Sequence, residues 1–194
     1  MSLNNTPSSE RTHIGIFGRR NAGKSSLINA LTGQNLAIVS DVRGTTTDPV
    51  FKAMELLPLG PVVMIDTPGL DDTGELGKLR IQKAYQVLNK TDIAVLVVDG
   101  TTGITPQDNA ILTRIQDKKI PLLLVLNKAD LVSEHVHQEM IVSTHLKYKI
   151  PLENILWTNT TEHLHIHELK ERLGSLVPSC LLYTSPSPRD MRRS

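Results

Sequence analysis

The 194-residue chain is poor in cysteine and in aromatic side chains. Its only cysteine is Cys180, which excludes a disulfide framework and a cluster of thiolate metal ligands. Aromatic residues make up 3% of the chain, too few for the stacking platforms of a nucleic-acid surface. We therefore expect a reducing, cytoplasmic compartment.

Long apolar runs and a strong net charge are also absent. No stretch of about 18 apolar residues could form a membrane span, and the N-terminus, MSLNNTPSSER, lacks the apolar core of a signal peptide. The formal net charge is +1, and the +2 balance of residues 179–194 accounts for it, since the remainder carries −1. Neither nucleic acid nor a membrane is an expected partner.

Short apolar runs alternate with amphipathic stretches along the chain. The runs at 93–98 and 122–126 are typical of strands that are buried on both faces of a parallel sheet. Only three residues, 58–60, separate two other runs, which predicts an antiparallel hairpin because a crossover helix does not fit. The predicted strands are His13–Gly18, Val50–Leu57, Pro61–Asp66, Ile93–Asp99, Leu122–Asn127 and Ile155–Trp157. The predicted helices are Lys24–Thr32, Leu76–Asn89, Pro106–Lys118, Ser133–Lys147 and Ile166–Leu176.

This alternation predicts a three-layer α/β domain with a mostly parallel six-stranded sheet and one antiparallel edge strand. We expect the domain at residues 11–177, after a flexible N-terminus at 1–10. Residues 178–194 form a Ser-, Pro- and Arg-rich tail without periodicity. Its end, LLYTSPSPRDMRRS, resembles a translated sequencing adapter, so we interpret the tail as non-native.

A phosphate-binding loop follows the first predicted strand. The segment GRRNAGKS, residues 18–25, matches the P-loop pattern of Gly, four residues and Gly-Lys-Ser/Thr, which predicts a P-loop NTPase with a Ras-like G domain. Its backbone N–H groups and the following helix N-terminus form an anion site. Lys24 is expected to reach the β and γ phosphates as a catalytic residue, and Ser25 to ligate Mg²⁺. The predicted phosphate-binding residues are Gly18, Asn21, Ala22, Gly23, Lys24, Ser25, Ser26 and Gly69.

Two further segments complete the predicted phosphate site. The Asp66 carboxylate, at a strand end, is expected to reach Mg²⁺ through water, and the Gly69 N–H to meet the γ phosphate. Residues 34–49 form a long polar loop, and loops of this length are usually functional or disordered. Within it, Thr46 is the predicted catalytic Mg²⁺ ligand, with Thr45 and Thr47 as alternatives. The predicted switch residues are Gly44, Thr45, Thr46, Thr47, Asp66, Thr67, Pro68 and Gly69.

The segment NKAD, residues 127–130, follows a buried run and predicts a guanine site. Asp130 can accept hydrogen bonds from the ring N–H and the exocyclic amine of guanine, and adenine lacks this donor pair. Asn127 is expected to brace the loop and the base edge, and the Lys128 stem to lie over the purine.

The order GRRNAGKS, GTTTD, DTPG and NKAD resembles the TrmE–Era–EngA group of translational GTPases. The phrases TTTDPVFKAMELLPLGP and IDTPGLDDTGELG resemble, more narrowly, the HydF family of FeFe-hydrogenase maturation GTPases. This resemblance covers about residues 8–176 and implies GTP or GDP as ligands and other maturation proteins or the hydrogenase as partners. It also implies that two downstream domains are missing. One is a dimerisation domain, and a homodimer would form only through it. The other carries an iron–sulfur site, so this fragment is expected to have no such site.

The resemblance also implies K⁺ activation and slow turnover. Members with Asn at the position of Asn21 use K⁺, and Ala37–Gly44 matches the loop that supplies its other ligands. Leu70 replaces the usual catalytic glutamine and cannot orient water. Thr158–Thr161 departs from the Ser-Ala-Lys-like loop that closes the base pocket. The expected function is slow, K⁺-stimulated GTP hydrolysis that switches partner binding during metal-cluster assembly. The alternatives are a non-catalytic GTP-dependent scaffold and a tRNA- or ribosome-associated Era-like GTPase.

Overall fold

The computed structural model describes residues 11–33, 48–70 and 74–177, in which six strands alternate with five α-helices. The predicted boundaries at 1–10 and 178–194 lie outside these ranges. The strands are β1 Thr12–Gly18, β2 Val50–Leu56, β3 Gly60–Asp66, β4 Ile93–Asp99, β5 Leu122–Asn127 and β6 Ile155–Trp157. The helices are α1 Lys24–Thr32, α2 Gly74–Leu88, α3 Pro106–Asp117, α4 Glu134–Tyr148 and α5 Ile166–Ser175, with 3₁₀ turns at Ala129–Leu131 and Leu152–Asn154.

The strands form one sheet in the order β2-β3-β1-β4-β5-β6. Only β2 and β3 pair antiparallel, with β2 at the edge. The predicted mostly parallel sheet with an antiparallel edge strand is confirmed. The α2 boundary is wrong, since this helix begins two residues before Leu76. Ser133 is the extended N-cap of α4 rather than its first residue.

Helices cover both faces of the sheet because alternate strand residues point to opposite sides. Val95 and Val97 of β4 pack in the core layer that contains α1 and α5. Leu96 and Val98 pack on the other face, in the layer that contains α2 and α3. Buried apolar residues on both faces explain the continuous Val/Leu/Ile runs of the central strands.

The parallel arrangement brings the carboxyl ends of β1, β3, β4, β5 and β6 to one edge of the sheet. The loops that follow these strands contain the predicted phosphate and base residues. Ligands of open α/β sheets bind at this edge. In the described ranges, no helix combines the length and apolar character that a bilayer crossing requires.

Candidate nucleotide-binding site

Two glycines allow the P-loop to turn between β1 and α1. Gly23 has a φ of 99°, and a Cβ there would lie 2.2 Å from the amide nitrogen of Asn127. Gly18 has a φ of 151°, and its Cβ would lie 2.4 Å from the carbonyl oxygen of Val97. Any other residue at either position would be both strained and in collision with its neighbours.

Lys24 is the first residue of α1 and is only 6% exposed. Its Nζ donates a hydrogen bond to the Gly18 carbonyl at 2.9 Å, so the ammonium lies across the P-loop. The positive end of α1 is at the same place. The loop therefore combines a buried cation with a helix N-terminus, an arrangement that favours anions such as phosphates.

The DTPG segment packs directly on the P-loop. The buried Thr67 hydroxyl donates to the Ile16 carbonyl at 2.6 Å and ties the segment to β1. A Cβ at Gly69 would lie 2.9 Å from the Cα of Arg20, so only glycine permits this approach without a shift. Gly69 therefore lies directly against the backbone of the P-loop.

Asp66 ends β3 beside the P-loop. Burial raises the pKa of its carboxyl above the ordinary 3.8, while the positive charges of Lys24 and Lys52 act in the opposite direction. An ionised carboxylate in this position is incompletely compensated, and a divalent cation would supply the missing positive charge.

Asn127 joins the P-loop to the ends of β5 and β6. Its side-chain amide donates to the Ala22 carbonyl at 3.0 Å, and its side-chain oxygen accepts from the Thr158 hydroxyl at 3.1 Å. The residue is 2% exposed. The structure therefore contains the predicted brace of the loop, and the contact with a base edge stays a prediction.

Lys128 adopts the left-handed conformation, with a φ of 66°. Its Nζ contacts the Asp99 carboxylate at 2.7 Å. Burial raises the pKa of Asp99, but hydrogen bonds from Lys128 and Thr101 outweigh it and leave the pKa below its ordinary value. Asp99 was not predicted as a site residue. Its position at the carboxyl end of a central strand was the available signal.

The P-loop and the NKAD loop line one cleft of about 460 Å³, a size typical of small-ligand sites. Most of the predicted phosphate and base residues meet here. Gly18 and Ala22 are buried in the loop, and the predicted residues Gly44, Thr45, Thr46, Thr47 and the segment Ala37–Gly44 lie outside the described ranges. The cleft is lined by Arg20, Asn21, Gly23, Lys24, Ser25, Ser26, Asn127, Lys128, Asp130, Leu131, Asn159, Thr160 and Thr161.

The loop after β6 occupies the expected place despite its unusual sequence. The Thr158 carbonyl accepts from the Ala129 N–H at 3.0 Å. The buried Asn159 side chain accepts from the Thr161 N–H at 3.0 Å and shapes the turn that lines the cleft. A Ser-Ala-Lys-like pattern could not reveal this, because here the Asn159 side chain and the Thr158 carbonyl make the contacts that shape the loop.

Leu70 faces the protein interior. It is 2% exposed and packs in the cluster that contains Phe17, Ile65 and Ile111. An apolar side chain after DTPG is favoured here by burial between α2 and α3. The position normally associated with water orientation therefore contributes to the core.

The fold, the P-loop and the NKAD loop together define a P-loop GTPase. The family model described as 50S ribosome-binding GTPase matches residues 13–128. This match spans more than half of the chain, and the chain belongs to that family. GTP hydrolysis is the activity of the domain.

Similar proteins extend the comparison. The tRNA modification GTPase MnmE of Desulforamulus reducens is 32% identical over 89% of this chain and 36% of its own length. GTPase Der of Kosmotoga olearia is 33% identical over 82% of this chain and 37% of its own length. A structure of Era with MgGDPNP and nucleotides 1506–1542 of 16S ribosomal RNA has a TM-score of 0.75 at 27% identity, over 93% of this chain and 60% of that one. The chain thus spans about a third of the length of these curated relatives.

Replacement of Asp66 by Asn should stabilise the nucleotide-free domain and weaken Mg²⁺ binding. The folded-state pKa is raised, so the wild type is most stable with Asp66 protonated and loses that stability as the pH rises through this pKa. The neutral amide of the variant does not lose stability in this way. The melting temperature of Asp66→Asn should therefore exceed that of the wild type by a growing margin as the pH rises above 3.8, the ordinary pKa of the carboxyl. Mg²⁺ affinity with bound GDP should fall by about 10- to 100-fold.

Thermal melts from about pH 4 to about pH 8 and a Mg²⁺ titration would test both effects. The matched control is Asp48→Asn, since Asp48 is an exposed carboxylate paired with Lys83 at 2.9 Å. That variant should bind Mg²⁺ as the wild type does. A lower melting temperature for Asp66→Asn at neutral pH would contradict the interpretation.

Proposed function

We propose that the chain binds GTP with Mg²⁺ in this cleft and acts as the nucleotide switch of a larger protein. The hydrogen bond of 3.0 Å between Asn127 and the Ala22 carbonyl supports this best. It ties the phosphate loop and the base loop into one frame, so both ends of a nucleotide meet pre-arranged groups. Such pre-arrangement lowers the entropic cost of binding.

The proposed roles follow from position. Lys24 stabilises charge on the β and γ phosphates, and Ser25, Asp66 and Thr46 hold Mg²⁺, with Asp66 acting through water. Mg²⁺ supplies charge neutralisation for the phosphates when bound. Because Leu70 is buried, its side chain is not available to orient the attacking water. Slow intrinsic turnover follows, with Thr46 as the proposed second catalytic residue.

Base selectivity is tested at Asp130. Asp130→Asn should weaken GDP binding by about 10²- to 10⁴-fold, because two charge-assisted hydrogen bonds are lost. The same variant should favour xanthine nucleotides, whose 2-carbonyl can accept from the new amide. Titrations with GDP, ADP and xanthosine diphosphate measure this directly. Asp117→Asn, at an exposed position of α3, is the matched control and should bind GDP as the wild type does. Equal affinity of the wild type for ADP and GDP would rule out the guanine assignment.

Potassium activation is tested at Asn21, which is exposed and lines the cleft. We propose that K⁺ binds between Asn21, the backbone of Ala37–Gly44 and the α and γ phosphates. When bound there, the ion supplies positive charge for the transition state. At constant ionic strength, K⁺ should accelerate single-turnover GTP hydrolysis by at least about tenfold over Na⁺. Ammonium or rubidium should replace it.

Asn21→Ala should abolish the difference between K⁺ and Na⁺ while GDP affinity stays near that of the wild type. Asn109→Ala, at an exposed position of α3, is the matched control and should retain the difference. Constant total salt prevents general screening from imitating the effect. Equal rates of GTP hydrolysis in K⁺ and Na⁺ for the wild type would refute the K⁺ mechanism. The guanine assignment would be unaffected by that result.

The relatives support a tRNA- or ribosome-associated role for the whole protein. MnmE is a tRNA modification GTPase, and the Era structure contains 16S ribosomal RNA. These comparisons support this alternative better than a role in hydrogenase maturation. The chain spans about a third of the length of MnmE and Der, so this role is a proposal for the whole protein and not for the domain alone.

A second candidate is hydrogenase maturation, which rests on the resemblance of residues 45–61 to the HydF family. The described part of this segment contains β2, the edge strand of the sheet. Three strands separate β2 from β5, which precedes the base loop. Beyond the switch threonines, nucleotide chemistry does not account for the resemblance over β2, because this strand runs from Asp66 towards the opposite edge of the sheet. This proposal implies maturation proteins or the hydrogenase as partners.

The full-length protein distinguishes the two partner classes. Loaded with GDPNP, it is titrated with a 16S ribosomal RNA 3′ fragment and with tRNA, and its iron and sulfide contents are measured. Nucleotide-dependent RNA binding without iron supports the translational role and opposes hydrogenase maturation. A bound iron–sulfur cluster without RNA binding supports hydrogenase maturation and opposes the other role.

A further inference from the structure

Asp99 terminates β4 directly opposite Asn127 in the register of the sheet. Both of its carboxylate oxygens have partners. Oδ2 accepts from the Lys128 Nζ at 2.7 Å, while Oδ1 accepts from the Thr101 N–H at 2.9 Å and the Thr101 hydroxyl at 2.6 Å. The turn after β4 thus fixes the carboxylate, and the carboxylate in turn holds Lys128, the residue that follows the neighbouring strand β5.

Lys128 needs such an anchor because of its position and its flexibility. Its backbone is in the left-handed region, which non-glycine residues adopt at a conformational cost. Its side chain has four rotatable bonds and would otherwise sample many rotamers. The residue lines the cleft between Asn127 and Asp130. Fixing the ammonium therefore also fixes the methylene stem at the wall of the predicted base pocket.

We propose that Asp99 is a positioning residue of the guanine pocket and acts through Lys128. The ion pair holds the Lys128 stem as a preformed wall against which the purine packs. Asp99 needs no contact with the nucleotide to do this. The inference rests on the proposed guanine site and adds to it a determinant outside the NKAD motif.

The alternative is that Asp99 serves only the turn at 99–103, where its carbonyl accepts from the Gly103 N–H at 2.9 Å. Asp99→Asn separates the two roles. The amide oxygen can keep both hydrogen bonds from Thr101, whereas the amide nitrogen would face the Lys128 ammonium, donor against donor. The turn is preserved and the ion pair is lost.

The experiment measures GDP affinity, kcat at saturating GTP and melting temperature for this chain. Asp99→Asn should weaken GDP binding by about two- to fivefold, the effect expected of a partly exposed ion pair. The kcat should stay near the wild-type value, and the melting temperature should fall only slightly through loss of the ion pair. Lys128→Met keeps the stem length without the charge and should give a similar loss. The double variant should be no weaker than Lys128→Met alone, because both changes break one interaction.

Asp92→Asn is the matched control, since Asp92 immediately precedes β4 and pairs with His13 at the opposite edge of the sheet. Its GDP affinity should equal that of the wild type. Wild-type affinity in Asp99→Asn, or additive losses in the double variant, would overturn the inference. If Asp99→Asn unfolds, Lys128→Met is read instead, and undiminished affinity there overturns it. Failure of the wild type to bind GDP would instead refute the proposed function and, with it, this inference.

Discussion

The contact between Asn127 and the P-loop is the constraint on which the rest of the site depends. The amide nitrogen of Asn127 occupies the space that a side chain at position 23 would need, because a Cβ at Gly23 would lie only 2.2 Å from it. Through Thr158, the same side chain reaches the end of β6. A buried amide with partners on both sides tolerates little movement, because an unpaired polar group in this environment is costly. The phosphate and base ends of the cleft are therefore held in one geometry.

The charged groups around this frame favour ligand binding at the expense of the stability of the ligand-free domain. Lys24 and the helix N-terminus concentrate positive charge in the P-loop, and the half-buried Asp66 beside them has a raised pKa. Because the pKa of Asp66 is raised, we expect the ionised carboxylate to destabilise the cation-free domain. Binding of Mg²⁺ and phosphates would relieve this, so the nucleotide contributes to the stability of the state that holds it.

The DTPG segment is coupled to the core through two neighbouring residues, Gly69 and Leu70. Gly69 contacts the P-loop backbone at Arg20, while Leu70 is inserted among the apolar residues between α2 and α3. A displacement of Gly69 would therefore pull on packed side chains, and close-packed interiors transmit such strain. This linkage connects the P-loop backbone with the apolar layer that contains α2 and α3.

The sequence by itself determined the fold class, because continuous apolar runs specify buried parallel strands and a three-residue gap permits only a hairpin. It also determined the P-loop and the NKAD loop, since their chemistry is local and follows a fixed spacing. Only the tertiary structure decided which residues cooperate across strands. Asp99 and Lys128 are 29 positions apart, and Asn127 and Thr158 are 31 positions apart. Both depend on which strand ends become neighbours in the sheet, and a pattern along the chain does not encode that arrangement directly.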